Sequence, residues 1–376
     1  MKIPFNQPTI VGTENKSIDL CLKENAFSGG GKFSDLCKSE IKRILNRQTC
    51  EVFMTPSCTQ SLEAAVIILG LKPGDEVIMP SFTFVTTATS FSNMGIKIKF
   101  VDIREDTLNI DENKIEEAIT SKTRAIVPVH YAGVSCEMNK INEIAKKYNL
   151  FVIEDAAQGM FSFYENRHVG TMGDVSAFSY HDTKNLHCGE GGSLVVNNSK
   201  FFDLSNTVIE KGTNRKKFLE GRVEKYTWIS PGSSFSLSNL SSSFLIEQLK
   251  NINDITRRRL DLWSAYMENL IFSTSFDVPK IPLNCQHNAH IFYIKLKEKK
   301  ERLKLMKFLR SRGISTTFHF VPLHSSPAGK QFGDFVGADV NTTRESQRIL
   351  RLPIYDAMKK NEVEYVCENL REFFND

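Results

Sequence analysis

The chain has 376 residues, enough for one large α/β domain and a smaller one, each with its own core. Its hydrophobic fraction of 41% is ordinary for a soluble globular protein, and its formal net charge of +4 is small and spread along the chain, which gives no argument for a nucleic-acid partner. No apolar run approaches a bilayer crossing and the amino terminus lacks the apolar core of a signal peptide, so no membrane partner and a cytoplasmic location are expected.

The cysteines form no CxxC pair and show no metal-ligand spacing, which suits free thiols and no metal. From Ser57 to about residue 200, short apolar runs alternate with amphipathic stretches, the pattern of a mostly parallel sheet covered by helices. Ser61 to Leu71 reads as a helix stopped by Lys72-Pro73-Gly74-Asp75. Strands are expected over 76–80, 98–102 and 125–129, then a helix over 139–148 and a strand over 150–154 that ends at Asp155. A strand over 176–180 leads into a loop holding Lys184, and 192–197 returns as a strand after the turn Gly189-Glu190-Gly191-Gly192. The stretch from about 235 to 270 is helical. A change of domain is expected near residue 250, giving a large domain over 1–250 and a small α+β domain over 251–376. In the small domain, strands over 290–296 and 316–321 flank a helix over 300–312, and a last helix covers 360–374.

Asp155 and Lys184 both fall just beyond the carboxyl ends of expected strands, where open α/β sheets gather their functional groups. Singly, one is a turn residue and the other a solvated lysine. Together they are the pair that pyridoxal 5'-phosphate (PLP) chemistry requires: a lysine that bonds the cofactor and a carboxylate that keeps its pyridine nitrogen protonated. Ser57-Cys58-Thr59-Gln60 opens the first helix of this region, where hydroxyls and free N–H groups hold a phosphate or simply cap the helix. Phe84 follows the strand ending at Pro80, placed either to stack on a flat ring or to fill the core. Gln158 lies a helical turn beyond Asp155, within reach of a ring, and Ser179 precedes Lys184, within reach of a phosphate.

As a set, Ser57-Cys58-Thr59, Pro80-Ser81-Phe82-Thr83-Phe84, Glu154-Asp155-Ala156-Ala157-Gln158, Ser179-Tyr180-His181-Asp182-Thr183-Lys184-Asn185 and Gly189-Glu190-Gly191-Gly192 resemble the DegT/StrS-type nucleotide-sugar aminotransferases. The likeness runs nearly end to end. It implies the PLP fold-type I (aspartate aminotransferase-like) architecture, with PLP as cofactor and Lys184 as the catalytic lysine. It further implies cofactor contacts from Cys58, Thr59, Gln60, Phe84, Asp155, Gln158, Ser179 and Ser234. The segments 5–6, 11–14, 74–85, 127–133, 210–215, 225–228, 232–234 and 322–324 are similar to the branch that aminates C4 of dTDP-4-keto-6-deoxyglucose with L-glutamate as donor. That likeness implies these two substrates, with contacts from Lys211, Asn214, Arg215 and His324. It also implies a homodimer in which the loop from Lys211 to Ser234 reaches the neighbour's site.

Two departures stand out. Gly232-Ser233-Ser234-Phe235-Ser236 occupies the place of the family's Gly-x-Asn-x-Arg, leaving Ser234 where an asparagine contacts the cofactor phosphate across the interface. Cys58 replaces the more frequent glycine of the phosphate loop. Two other classes remain to be weighed. Sugar dehydratases on the same scaffold carry histidine at the lysine position, and a non-catalytic sugar-binding relative is expected to lack Lys184 or Asp155. The choice between C3 and C4, and between galacto and gluco products, stays open at this level.

Overall fold

The computed structural model describes residues 1–375. Helices α1 (Glu14–Glu24) and α2 (Lys32–Ile44) precede the first strand, β1 (Glu51–Thr55). An alternating region follows: α3 (Cys58–Ile68), β2 (Glu76–Pro80), α4 (Val85–Ser92), β3 (Lys97–Val101), β4 (Thr123–Ile126), α5 (Met138–Tyr148) and β5 (Phe151–Asp155). After the short hairpin strands β6 (Phe163–Tyr164) and β7 (Arg167–His168) come β8 (Val175–Ser179) and β9 (Gly192–Val196). The chain continues through α6 (Phe202–Ile209), α7 (Arg215–Leu219), α8 (Asn239–Lys250) and α9 (Ile252–Leu270). Its last part holds β10 (Cys285–Gln286), β11 (Phe292–Lys295), α10 (Lys299–Ser311), α11 (Pro327–Phe332), β12 (Gly333–Phe335), α12 (Thr342–Arg348), β13 (Ile349–Leu352) and α13 (Lys360–Phe374).

The main sheet has the order β1-β9-β8-β5-β4-β2-β3-β12. Strand β9 is antiparallel to both its neighbours, and the other pairings are parallel. Helices cover both faces, so residues such as Val77, Ile78 and Met79 are all buried and the strands read as continuous apolar runs. One face packs Val77, Met79 and Ile153 against Leu62 of α3 and Phe91 of α4. The outer part of the other face packs Val52, Phe178 and Val195 against Ile41 of α2 and Leu245 of α8. The parallel strands end along one edge, at Thr55, Pro80, Asp155 and Ser179.

A separate core joins Trp263 and Tyr266 of α9, Phe292 and Ile294 of β11, Leu305 of α10 and Val366 of α13. Ile3 belongs to this second core and bridges Ile314, so the amino-terminal segment crosses to the carboxyl-terminal layer. The helical stretch expected over 235–270 is two helices meeting at Asn251: α8 packs on α1 and α2, whereas α9 packs on α13.

The segment 316–321 is a correction. It forms no regular strand; Thr317 alone bridges Arg351 of β13, and the consecutive residues His319 and Phe320 both line a cavity, where a strand would turn them to opposite faces. Strand β12 adds to the edge beside β3, and a Cβ at Gly333 would meet the Ile98 carbonyl oxygen at 2.6 Å. A glycine is what lets these backbones approach.

Candidate active site

A cavity of about 510 Å³ opens at the carboxyl edge of the sheet. Ser57, Cys58 and Thr59 enter it at the start of α3, Thr83, Phe84 and Thr87 after β2, Asp155 at the end of β5 and Ser179 at the end of β8. Lys184 enters from the following loop, and His290, His319, Phe320 and Arg351 enter from the carboxyl-terminal part.

The start of α3 is built to take an anion. Ser57 caps the helix, its Oγ accepting from the Gln60 N–H at 3.2 Å, and helix geometry leaves the N–H groups of Cys58 and Thr59 without partners inside the helix. The turn is held by Thr55, whose hydroxyl donates to the Ser57 carbonyl at 2.9 Å. Gly192 makes this possible: a Cβ there would sit 2.4 Å from the Ser57 carbonyl carbon and 2.5 Å from the Cys58 nitrogen. Ser179 pairs with Gly192 in the sheet, which brings its hydroxyl to the same end. Burial pushes the Cys58 thiol up, with the charge of Asp155 adding to it, so Cys58 lines the site as a neutral group.

Asp155 is held in place before any ligand arrives. Its Oδ2 accepts from the Thr87 hydroxyl at 2.7 Å and its Oδ1 from the Ala157 N–H at 3.1 Å. Because Thr87 gives its proton to Asp155, the 2.9 Å contact between Thr83 and Thr87 runs from Thr83 as donor. Strand alternation turns Glu154 the other way. Fully buried, Glu154 lies 3.1 Å from His130 Nε2 and accepts from the N–H groups of Gly170 at 2.8 Å and Met172 at 2.7 Å. Burial alone would raise its pKa; these partners outweigh that and hold the carboxyl below its ordinary range.

Lys184 is half-buried, and its N–H donates to the His181 carbonyl at 2.9 Å. Burial lowers its pKa, aided by the charge of Arg351, against the opposing pull of Cys58 and Asp155. The next residue braces the loop: Asn185 donates to the Asn288 carbonyl at 2.8 Å and accepts from His290 Nδ1 at 3.0 Å. Gln158 lines the cavity, but its Oε1 accepts from Ala132 N–H at 2.7 Å, and Ala132 sits at a left-handed φ of 59°. Gln158 therefore braces a strained turn beside the site. Phe84 stands 56% exposed at the mouth, its ring 6.3 Å from that of Phe320.

Other expected site residues lie elsewhere. Gln60 is in α3 with its carbonyl oxygen buried and unpartnered, and it does not line the cavity. His324 does not either; it bonds Ser81 Oγ through Nδ1 at 2.7 Å and meets Asp339 through Nε2 at 3.3 Å. Ser234 is exposed and bridges Glu210, Lys211 is exposed at a φ of 65°, and Arg215 pairs with Glu210 at 3.4 Å. The Asn214 side chain is engaged inside its own loop, donating to the Lys225 carbonyl at 3.0 Å and accepting from Thr227 N–H at 2.7 Å. Conversely, Thr87, His290, His319 and Arg351 line the cavity without being expected there. Arg351 left one trace: it is the charged residue inside the apolar run Ile349-Leu350-Arg351-Leu352.

A model of the DegT/DnrJ/EryC1/StrS aminotransferase family matches residues 8–371. The chain belongs to this family. It is a PLP-dependent sugar aminotransferase. The cavity fits that cofactor, with unpaired N–H groups and hydroxyls at one end for a phosphate, a braced carboxylate for a ring nitrogen and a lysine of lowered pKa. The aminotransferase is 32% identical to the spore coat polysaccharide biosynthesis protein SpsC of Bacillus subtilis (strain 168), with 98% of this chain and 96% of that one aligned. It is 29% identical to GDP-perosamine synthase of Escherichia coli O157:H7, covering 100% of this chain and 99% of the relative. Its fold superposes on the crystal structure of DesV from S. venezuelae with a TM-score of 0.90 at 26% identity, covering 99% and 98% of the two chains.

Proposed function

We propose that this aminotransferase moves the amino group of L-glutamate to C4 of dTDP-4-keto-6-deoxy-D-glucose, giving dTDP-4-amino-4,6-dideoxy-D-galactose and 2-oxoglutarate. The observation that carries the reading is the grouping of Lys184, Asp155 and the start of α3 in one cavity, beside the segments 74–85 and 127–133 that resemble the C4-aminating branch. When bound, PLP supplies an electron sink that stabilises negative charge on the carbon losing its proton. On this reading Asp155, oriented by Thr87, holds the ring nitrogen protonated, while Cys58, Thr59 and Ser179 hold the phosphate. Lys184 would hold the cofactor at rest; freed by the donor, its neutral Nζ would carry the proton from the donor's α-carbon to the cofactor, and in the second half-reaction from the cofactor to C4 of the sugar. The lowered pKa of Lys184 is what such a base needs.

The same reading pairs two copies into a homodimer through the 211–234 loop. Within that loop Trp228 is 79% exposed, and Leu219, Tyr226 and Ile229 are exposed as well, apolar side chains that a lone chain leaves in water. Lys211 and Arg215 of that loop are then the cations offered to the neighbour's ligand, and Asn214 shapes the loop. We also read the chain as a cofactor-binding unit over 1–250 and a smaller unit over 251–376, strapped by residues 1–5. Among the described residues, no helix is long and apolar enough to cross a membrane.

The likeness to GDP-perosamine synthase favours a second reading, a GDP-linked ketosugar as acceptor. Incubating the purified protein with glutamate and either dTDP- or GDP-linked 4-keto-6-deoxy sugars, with NMR of the product, separates the two. The expected product is a dTDP sugar with an axial amine at C4. Amination of the GDP sugar alone, amination at C3 or an equatorial amine would overturn the assignment.

A further inference from the structure

A second cavity, of about 310 Å³, opens at the end of the sheet opposite Asp155 and Lys184. Its floor is the start of β5 and the end of β9, and its walls are the last turns of α5, the turn 171–174 before β8, and Arg47 beyond α2. The length of β5, roughly 13 Å, separates it from the active-site edge. Two cations, Arg47 and Lys146, line this cavity. Among the described residues neither makes an ion pair, whereas their neighbours do, Arg43 with Glu40 and Lys147 with Glu116. Cations often complement the carbonyls at a helix end. Here backbone groups already close both ends: Arg47 N–H donates to the Lys42 carbonyl at 3.1 Å, and Leu150 N–H to the Ala145 carbonyl at 2.8 Å. The Arg47 side chain is left over, its Nε buried without a partner.

The amides of the lining supply the opposite need. Asn197 spends its N–H groups on the carbonyls of Gly170 at 3.1 Å and Gly173 at 3.0 Å, and its Oδ1 is buried without a partner. Asn142 donates to the Met172 carbonyl at 3.3 Å, and nothing among the described residues donates to its Oδ1. Asp174, the carboxylate of the lining, is already served: Val152 N–H donates to its Oδ2 at 3.0 Å and Asn198 Nδ2 to its Oδ1 at 2.8 Å. Two cations against this one carboxylate leave the cavity positive. Polar atoms shut away without partners are uncommon in folded proteins and point to a missing water, ion or ligand.

We propose that this cavity is a binding site for a sugar phosphate, with the phosphate on Arg47 and Lys146 and the sugar hydroxyls donating to the amide oxygens of Asn142 and Asn197. Free cationic donors beside free acceptors are complementary to one kind of molecule, an anion that also carries hydroxyl donors. The guanidinium fork suits two phosphate oxygens, and the ammonium adds a point charge. The volume lies at the small end of ligand sites, which begin at about 300 Å³, so a single sugar ring fits where a nucleotide sugar does not.

The test uses the PLP-loaded protein, so that the cofactor's own phosphate site is filled. Glucose 6-phosphate, glucose and inorganic phosphate are titrated separately by calorimetry at one ionic strength. Glucose 6-phosphate is expected to bind saturably and about tenfold or more tighter than either of the other two. Arg47→Gln should weaken it by about tenfold or more and Lys146→Gln by roughly threefold. Asn142→Leu should weaken glucose 6-phosphate and leave inorganic phosphate unchanged. Absence of saturable binding would overturn the proposal and leave water as the partner of these groups. Binding that ignores Arg47→Gln would put the ligand in the active-site cavity and also overturn it. Inorganic phosphate binding as tightly as glucose 6-phosphate, with Asn142→Leu silent, would overturn the sugar in favour of a bare oxyanion. The Arg47 side chain bonds nothing in the chain, so its variant should fold; if it does not, the exposed Lys146 carries the comparison.

Discussion

On the sheet wall of the cavity, polar groups arrive already bonded to one another: Thr83 to Thr87 to Asp155, and His290 to Asn185 beside Lys184. On the wall formed by β13 and residues 319–320, Arg351 stands without a counter-charge and Phe320 stacks on His319 at 3.9 Å. The first wall is preorganised by bonds among its own side chains, and the second leaves a charge without a counter-charge. Preorganisation of this kind is how a site keeps its geometry without reorganising at the moment of reaction.

Substitutions on the sheet wall should therefore damage chemistry more than folding. Lys184→Ala has the largest expected effect: no visible absorbance from lysine-bound cofactor and turnover lower by roughly a thousandfold or more, with Tm little changed. Absorbance spectra and thermal melts of the purified variant measure both. Asp155→Asn should cost on the order of 2–4 kcal/mol of transition-state stabilisation, read from kcat/KM. Wild-type turnover in that variant would remove Asp155 from the account. Thr87→Val keeps the carboxylate but takes away the donor that orients it, so a loss of about 1 kcal/mol in kcat/KM is expected, smaller than that of Asp155→Asn. Equal losses would mean that the Asp155 carboxylate contributes nothing unless Thr87 orients it.

The smallest effect concerns stability against pH, away from both walls. His168 is buried with Nδ1 donating to the Val169 carbonyl at 2.6 Å and Nε2 accepting from Phe161 N–H at 2.9 Å, and burial lowers its pKa to about 4. The unfolded chain binds a proton at this residue near pH 6.5, whereas the folded chain resists until about 4, so stability falls as pH drops through that window. Glu154, also held low, adds to the loss only further down, as its own folded pKa is crossed. Thermal melts should show Tm declining from pH 6.5 towards 4, with a shallower decline for His168→Gln. An equally steep decline in that variant would assign the loss to other groups.

Asp155 and Lys184 were legible because Asp155 ends the apolar run over 150–154 and Lys184 lies in the loop that follows the strand over 176–180, and both positions are what an open α/β sheet exposes. The phosphate end was legible as hydroxyls opening a helix, although nothing in the sequence alone tells a cap from an anion site. Arg351 was not legible, since one arginine between leucines reads as an edge-strand residue pointing to water until Thr317 and Tyr293 fix its direction. His324 drew attention by its Pro-Leu-His setting, yet Ser81 and Asp339 take up both its ring nitrogens, and His319 reaches the cavity instead. Side-chain partners distant in sequence decided each of these cases, and periodicity carries no information about them.

The central claim is that Lys184 is the residue that bonds the cofactor. Borohydride reduction of the PLP-loaded protein, followed by proteolysis and peptide mass spectrometry, locates that bond directly. The account predicts the pyridoxyl mass on the peptide containing Lys184 and on no other. The tag on a different lysine, or no stable tag on protein that turns over, would contradict it.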